Sequence, residues 1–421
     1  MKKTKRVLII TYYWPPAGGA GVQRWLKFSK YLPEFGWKPI ILTVDPDQAS
    51  YPQRDESLLR EVRDEVEVFR TSSFEPLQLY AKAAGKERVP YGGFSNQKSN
   101  SSFSRFIRGN FFIPDARRGW NCYAIAKAKE IISNQDIDCV ITTGPPQSTH
   151  LIGLSLKRQL GIKWGVDLRD PWTDIYYNEK MLRTPWAEKR DAKLEKQTLE
   201  AADFCITVSK GFAELFNRKV EREYHIVTNG FDEQDLVEVK LNSSRESNKL
   251  VISYTGTISD IYEPDVFFEA LANRKDSFEL RIAGSVSEGI RKKIDGYGIS
   301  ESVNYLGYVS HADALKEMSN ADLLLLISPM VKNSKGIIPG KLFEYLATGR
   351  PILAVVEDDQ SDVAAILRET KSGVFFSRKD TRELSDFLGK SVGDVGFSPD
   401  LEAIQKYNRK TLTGKLVSII P

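Results

Sequence analysis

Lys335–Glu357 reads KGIIPGKLFEYLATGRPILAVVE, and the fold class is legible in this stretch. A loop leads into a short helix that carries one glutamate. A Gly-Arg-Pro stop follows, and then an apolar strand. Pro339 suits the first turn of a helix, where a missing N–H is not missed. Gly349 suits a left-handed stop, and Pro351 forbids continuation of the helix. Ile352–Val356 then reads as a strand buried on both faces, as in a parallel sheet. Glu344 sits near the helix start, where free backbone N–H groups hold phosphate and a carboxylate can grip ribose hydroxyls. The stretch predicts one half of a nucleotide site in an α/β protein.

PGKLFEYLATGRPI resembles the donor-site helix of GT-B glycosyltransferases, specifically the large retaining family 4. The resemblance implies two facing Rossmann-like domains with a deep interdomain cleft. It also implies that Glu344 binds the ribose of a sugar nucleotide. The family usually carries a second glutamate eight positions earlier, near the reacting sugar; here that position is Gly336.

Bulk properties agree with two globular domains. A chain of 421 residues is too long for one ordinary core, and 41% hydrophobic with 28% charged residues is a globular composition. A formal charge of +4 is too small to argue for nucleic acid. Cys122, Cys139 and Cys205 form no CxxC pair and read as reduced, mostly buried thiols of a cytosolic protein. No apolar run approaches a membrane span. The opening MKKTKRVLIITYYWPP has too short an apolar run for a signal peptide, so Arg6–Thr11 is read as a first strand.

Strand and helix signals alternate along the chain, which predicts parallel α/β sheets. First-half strands are expected at Val7–Ile10, Pro39–Val44, Val66–Arg70, Cys139–Thr142, Lys163–Asp167 and Phe204–Val208. Helices are expected at Gly21–Phe35, Ala116–Ser133, Thr149–Leu160 and Glu188–Ala201. Second-half strands are expected at Leu250–Tyr254, Phe278–Ala283, Val303–Leu306, Asp322–Ile327 and Ile352–Val356. The polar stretch Asn229–Lys249 joins the two series. The expected domains are residues 1–229, acceptor-binding, and 230–400, donor-binding. A single C-terminal helix over 401–421 is expected to pack back onto the first. Thr71–Pro114 shows no period and contains FSNQKSNSSFS. Its end mixes Arg105, Arg108, Arg117 and Arg118 with Phe103, Phe106, Phe111 and Phe112. That mixture reads either as a surface for anionic headgroups or as a lid packing its phenylalanines onto the domain.

In the first half, Gly18, Gly19 and Gly21 precede a helix, where backbone can approach an anion. The spacing is not GxGxxG, and the turn resembles the glycine loop with which family 4 enzymes face the donor diphosphate and the acceptor. Gln23 and Arg24 open that helix, and either can reach the cleft. TTGPPQSTHLIGL places His150 past the carboxyl end of a strand, where α/β sheets bind ligands. His150 can serve proton transfer or donor binding, or can be a structural hydrogen bonder. GVDLRDPWTD places Arg169, Asp170, Trp172 and Asp174 in one loop, two carboxylates bracketing a guanidinium. DLRDPW after TGPPQSTH, together with IPDARRGW, resembles a family 4 subgroup that builds bacterial surface polysaccharides. On that footing Asp170 orients or deprotonates the acceptor hydroxyl and Arg169 is its structural or phosphate partner. The plain alternative is an ion-paired loop that only braces the cleft.

In the second half, YTGTISDIYEP puts Gly256 and Thr257 after a strand, as a donor-contacting turn requires. Family 4 enzymes commonly place an Arg and a Lys against the diphosphate nearby. Here that pair is absent, and Lys335, Lys341 and Arg281 are the candidate substitutes. Gly284 and Tyr308–Val309 are candidates to border the base. The donor set is therefore Glu344, Lys341, Pro339, Gly256, Thr257, Gly284 and Gly336. Asp45-Pro46-Asp47 and Asp136-Ile137-Asp138 match a metal-binding Asp-x-Asp formally but lie at a strand end and a strand start, so no metal is expected.

These readings imply a metal-independent, retaining glycosyltransferase. It would move a sugar from a UDP- or GDP-sugar to a glycan or lipid-linked glycan in polysaccharide biosynthesis. It would have no other cofactor and no nucleic-acid partner, and would be cytoplasmic with peripheral contact to the inner face of the membrane. The rivals are a GT-B sugar-nucleotide epimerase and a non-catalytic GT-B-like module that binds nucleotide or glycan. A dehydrogenase comes last.

Overall fold

A computed structural model describes residues 4–75, 102–235, 249–274, 276–389 and 397–421. Residues 94–101 of the Ser/Asn-rich run, and residues 236–248 of the polar joining stretch, lie outside the described residues. The chain divides into two compact units: Met1–Thr228 with Leu412–Pro421, and Asn229–Thr411.

The first unit holds a seven-stranded, all-parallel sheet: β1 (Lys5–Ile10), β2 (Trp37–Val44), β3 (Glu67–Thr71), β4 (Cys139–Gly144), β5 (Trp164–Leu168), β6 (Phe204–Thr207) and β7 (Tyr224–Ile226). The spatial order is β3-β2-β1-β4-β5-β6-β7. Sequence order therefore reverses between β1 and β4, the place where such sheets bind ligands at their carboxyl ends. Both strands are almost fully buried, Val7–Ile10 and Cys139–Ile141 at 0% exposure. Such runs of aliphatic side chains stabilise the centre of the sheet by about 1.5–3 kcal/mol per Val, Leu or Ile removed from water.

The second unit repeats the design with six strands: β8 (Leu250–Thr255), β9 (Phe278–Ala283), β10 (Val303–Gly307), β11 (Leu323–Ile327), β12 (Ile352–Val356) and β13 (Gly373–Ser377). Their order is β10-β9-β8-β11-β12-β13, and the switch lies between β8 and β11. The two-faced burial expected of ILAVV holds. Leu353 and Val355 join the core on one side, while Ile352, Ala354 and Val356 join the core on the other. The helix before β12 spans Lys341–Thr348 and stops at Gly349, whose φ of 67° is left-handed. Pro339, expected in the first turn, lies just outside the helix, which begins two residues later at Lys341 with Gly340 as its N-cap.

Four expectations need correction. The helix after the glycine turn is Ala20–Tyr31, and Leu32–Phe35 is a 3-10 turn, because Pro33 cannot donate to a fourth α-turn. The aperiodic region contains a helix, Ser102–Phe111, and β7 and β13 were not anticipated. All three are short and lean on neighbours more than on pattern. The expected single C-terminal helix is two, Leu401–Gln405 and Arg409–Ile419. At the break, Phe231 donates its N–H to the Tyr407 carbonyl (3.1 Å) and accepts from the Arg409 N–H (2.8 Å). Backbone groups that would continue one helix are used in that bridge. Gly414 of the second helix packs near the Phe35 ring, within the first unit.

Candidate donor site and a polar cluster on the first sheet

At the β8–β11 switch, backbone and side chains converge. β8 ends at Thr255, and Gly256 follows with φ 96°, its N–H bonded to the Ala283 carbonyl (2.8 Å). Gly284 has φ 146°, and a Cβ there would run into the Gly256 carbonyl. Two glycines are thus required back to back, one by its dihedral and one by contact as well. The helix Lys341–Thr348 is locked above them by Tyr345. This fully buried phenol accepts the Thr255 backbone N–H (3.1 Å) and donates to the Leu325 carbonyl (3.3 Å).

That lock sets the two charged residues of the first helical turn. Lys341 lies with Nζ 3.6 Å from the centroid of the Tyr254 ring and 3.4 Å from where a Cβ on Gly256 would stand. Its Nζ is buried and has no hydrogen-bond partner among the described residues. Burial pulls its pKa down to about 7, with the Glu344 carboxylate opposing. Glu344 is one-third exposed, and its Oε1 lies 3.2 Å from His311 Nε2. A carboxylate, a buried amine and the positive end of a helix therefore share one turn at the carboxyl end of the sheet.

The other cations singled out in the sequence are committed elsewhere. Lys335 pairs with Asp358 (2.6 Å), and Arg281 pairs with Glu279 (2.8 Å) and Glu317 (3.6 Å). Gly336 closes a buried 3-10 turn, Ser334–Gly336, in which the Ser334 hydroxyl donates to Glu357. Pro339 is half-buried just before the helix, and its carbonyl accepts the Leu342 N–H (3.0 Å). Thr257 is exposed, and its carbonyl accepts from the Tyr254 hydroxyl (2.9 Å). Tyr308 is 78% exposed at the end of β10. Arg378 was missed. It follows β13 and donates to the carbonyls of Val356 (3.2 Å), Ser328 (2.6 Å) and Tyr262 (3.0 Å), gathering the ends of β12 and β11 and the turn after β8. Its only sequence signal is a guanidinium one residue past a strand.

In the first unit, Arg169 is a staple. Its Nη1 donates to the Gly21 carbonyl (2.6 Å), Nε to Gly144 (2.9 Å) and Nη2 to Pro145 (3.0 Å). One side chain thereby fixes the glycine turn against the Pro-Pro turn. Gly18 is buried, Gly19 has φ 87°, and Gly21 lies against Tyr13. Asp170 is half-buried, and none of the described residues hydrogen-bonds its carboxyl group. Desolvation raises its pKa and Arg169 opposes this, so the site favours a basic carboxylate.

His150 is fully buried. Its Nδ1 lies 3.0 Å from Thr142 Oγ1, which also accepts the Trp164 indole N–H (3.0 Å). Thr142 satisfies both neighbours by donating to Nδ1, which leaves the imidazole proton on Nε2. The ring stacks on Trp172 at 5.7 Å, and Nε2 is buried without a partner among the described residues. Desolvation lowers its pKa to about 3, so the ring is neutral at physiological pH. Gln147 was also missed. Its Oε1 and Nε2 are likewise buried and unpartnered, and a Cβ on Gly144 would meet both Gln147 Oε1 (2.7 Å) and His150 Nε2 (2.6 Å). Glycine at 144 therefore leaves room between two polar groups at the β1–β4 switch.

Two further expectations change. Arg24 is 1% exposed and lies inside the domain, bonded through Nε (3.0 Å) and Nη2 (2.9 Å) to Asp167, which also accepts from Trp25 (2.7 Å) and Thr143 (2.9 Å). It ties its helix to β5 and presents no free guanidinium to a ligand. Asp174 does not bracket Arg169. It pairs with Lys219 (2.6 Å), while Trp172 donates to Asp191 (2.8 Å). Cys139 and Cys205 are buried as expected, whereas Cys122 is exposed.

Residues 249–394, within the second unit, match the family model described as glycosyl transferases group 1. The second unit carries a glycosyltransferase domain, and the chain is an enzyme of that class. Solved structures extend the likeness of the transferase fold to both units. Sucrose-phosphate synthase from Thermosynechococcus elongatus is 13% identical with a TM-score of 0.65, covering 98% of each chain. HepE from Anabaena, solved with UDP, is 12% identical with a TM-score of 0.64, again over 98% of each chain. The lipopolysaccharide outer core galactosyltransferase WaaB is 13% identical with a TM-score of 0.60, over 99% of each chain. At such identities these show the GT-B fold of two Rossmann-like domains. No curated protein matches the chain in sequence. Among the described residues no helix is long and apolar enough to cross a membrane.

Proposed function

We propose that the enzyme transfers a sugar, with retention and without a metal, from a UDP-sugar to a glycan or lipid-linked glycan at the cytoplasmic membrane surface during polysaccharide assembly. The observation that carries this reading is the first turn of the helix Lys341–Thr348, where an unpartnered ammonium and a carboxylate stand three residues apart beside a two-glycine turn. Glu344 accepts from the ribose hydroxyls. Lys341 and the positive end of the helix dipole meet the diphosphate, whose negative charge grows as the bond to the sugar breaks. Dipoles and a cation already in place need little reorganisation during that step. The neighbour solved with UDP, and another form of HepE solved with UDP-glucose, support the choice of base. TarM of S. aureus, solved with UDP and alpha-GlcNAc-glycerol, supports a glycan acceptor. In the first unit, Asp170 serves as acceptor base, Arg169 holds the loop that carries it, and His150 and Gln147 contact sugar hydroxyls.

Thermal-shift screening against UDP-, GDP-, dTDP- and CMP-sugars tests the donor, because a ligand of the native state raises the melting point by mass action. UDP-sugars should shift it and NAD should not. A shift with NAD alone would end the reading. Gly336, standing where the family usually has a glutamate, favours a second reading, a nucleotide-binding module without transfer. Unchanged glycan assembly in cells carrying Glu344→Ala or Asp170→Ala would favour that module.

A further inference from the structure

The first unit exposes large apolar side chains that cluster at one place. Phe111 is 73% exposed, Trp186 60%, Leu182 46% and Phe106 40%. Asn110 gathers them. Its amide donates to the Leu182 carbonyl (3.0 Å) and accepts from the Thr184 N–H (2.7 Å), while a Cβ on the neighbouring Gly109 would strike the Met181 carbonyl. The end of the helix Ser102–Phe111 is thus pinned to the loop that enters the helix Pro185–Ala201.

Charge on that second helix is segregated. Asp191 is buried against Arg183 (2.6 Å), and Glu195 is buried against Lys219 (2.8 Å). Trp186, Lys189, Arg190 and Lys193 are all exposed, and their spacing of i, i+3, i+4 and i+7 puts them on one helix face. The Arg190 guanidinium lies over the Trp186 ring at 5.3 Å. Glu188 is the exposed acidic residue of the same turn. An indole beside a row of cations suits the boundary between acyl chains and phosphate headgroups. The sequence alone pointed to Arg105, Arg108, Arg117 and Arg118, with Phe103, Phe106, Phe111 and Phe112, for such a surface. Arg117 is instead buried, donating to the Ser50 carbonyl (3.1 Å), so the surface is built from residues that lie far apart in the chain.

We infer that this face, formed by Phe106, Phe111, Leu182 and Trp186 with Lys189, Arg190 and Lys193, docks on a bilayer of anionic phospholipids. It gives the membrane contact proposed above a location, but it stands on observations separate from the donor site. Three cations near a charged surface predict roughly 100-fold tighter binding to anionic than to neutral vesicles, while the aromatic side chains strengthen binding to both.

Cosedimentation of the full chain with phosphatidylglycerol/phosphatidylcholine vesicles, and with phosphatidylcholine alone, tests this at rising salt. Binding should need the anionic lipid, fall with salt, and drop at least tenfold in the double variant Phe111→Ser/Trp186→Ser. The charge variant Arg190→Glu/Lys193→Glu should lose binding as well, and it serves if the apolar variant does not fold. Both variants should keep the wild-type response to UDP, which separates a failure here from a failure of the donor assignment. Wild-type protein that ignores anionic vesicles, or variants that bind like wild type, would overturn the inference. So would a wild-type dimer that the serine variant dissolves, since the face would then belong to a second copy.

Discussion

The ionisation of Lys341 offers the sharpest test of the donor site. With its pKa near 7, the lysine is mostly neutral at pH 8 when no anion is present. A diphosphate beside Nζ would restore the ordinary lysine value, so binding must draw in a proton. Uptake should be most of a proton per UDP at pH 8 and much smaller at pH 6, where the free lysine is already charged. Isothermal titration at pH 8 in two buffers of different ionisation enthalpy reads this directly. Uridine, which lacks the diphosphate, should bind without it. Lys341→Met should abolish the difference and weaken UDP by roughly 10–150-fold, the worth of a hydrogen bond to a charged group. It should leave uridine unchanged.

The same shift has a consequence for folding. A lysine depressed in the native state leaves the unfolded chain holding more protons between pH 7 and its ordinary value. Stability should therefore rise with pH across that window. The side chain is only half-buried as a whole, and movement toward solvent reduces the effect to about 1–2 kcal/mol, which Lys341→Met removes. Equal proton uptake by wild type and Lys341→Met, or none in wild type at pH 8, would refute the reasoning.

Glu344→Gln should weaken UDP about tenfold in the same titration while moving the melting point little, because the carboxylate is partly exposed and its visible partner is one exposed histidine. His150, buried neutral, cannot charge until far below its ordinary pKa, whereas the unfolded chain charges near 6.5. Stability should thus fall as pH drops through that value, by about 2 kcal/mol between pH 7 and pH 5, and urea unfolding of His150→Phe should lack this component. Gly284→Ala should lower stability by roughly 1–3 kcal/mol and weaken UDP as well, since the added methyl group meets both a disfavoured φ and the Gly256 carbonyl. Denaturation and titration on the same variant check the two effects together.

Residues whose meaning is local were readable. The run ILAVV announces a strand covered on both sides, and Gly-Arg-Pro announces a helix end, because burial and backbone dihedrals act within a few residues. Glu344 was legible for the same reason, being fixed by its place in the first helical turn. The assignment of cations was not. Lys335, Lys341 and Arg281 look alike as candidates, yet two have carboxylate partners and one is parked on Tyr254. Arg24 and Arg169 also look equally available near glycine turns. One neutralises Asp167 inside the domain, and the other gathers three carbonyls.

By itself, then, the sequence determined two parallel α/β units and the short helix that carries Glu344 in its first turn, since periodicity and turn chemistry are properties of adjacent residues. Tertiary structure decided which charges remain unpaired, which carbonyls Arg169 holds, and how the end of the Ser102–Phe111 helix is pinned to the loop before Trp186. A charge is consumed or spared by whichever partner the fold brings within about 3–4 Å, and that partner can stand anywhere in the chain.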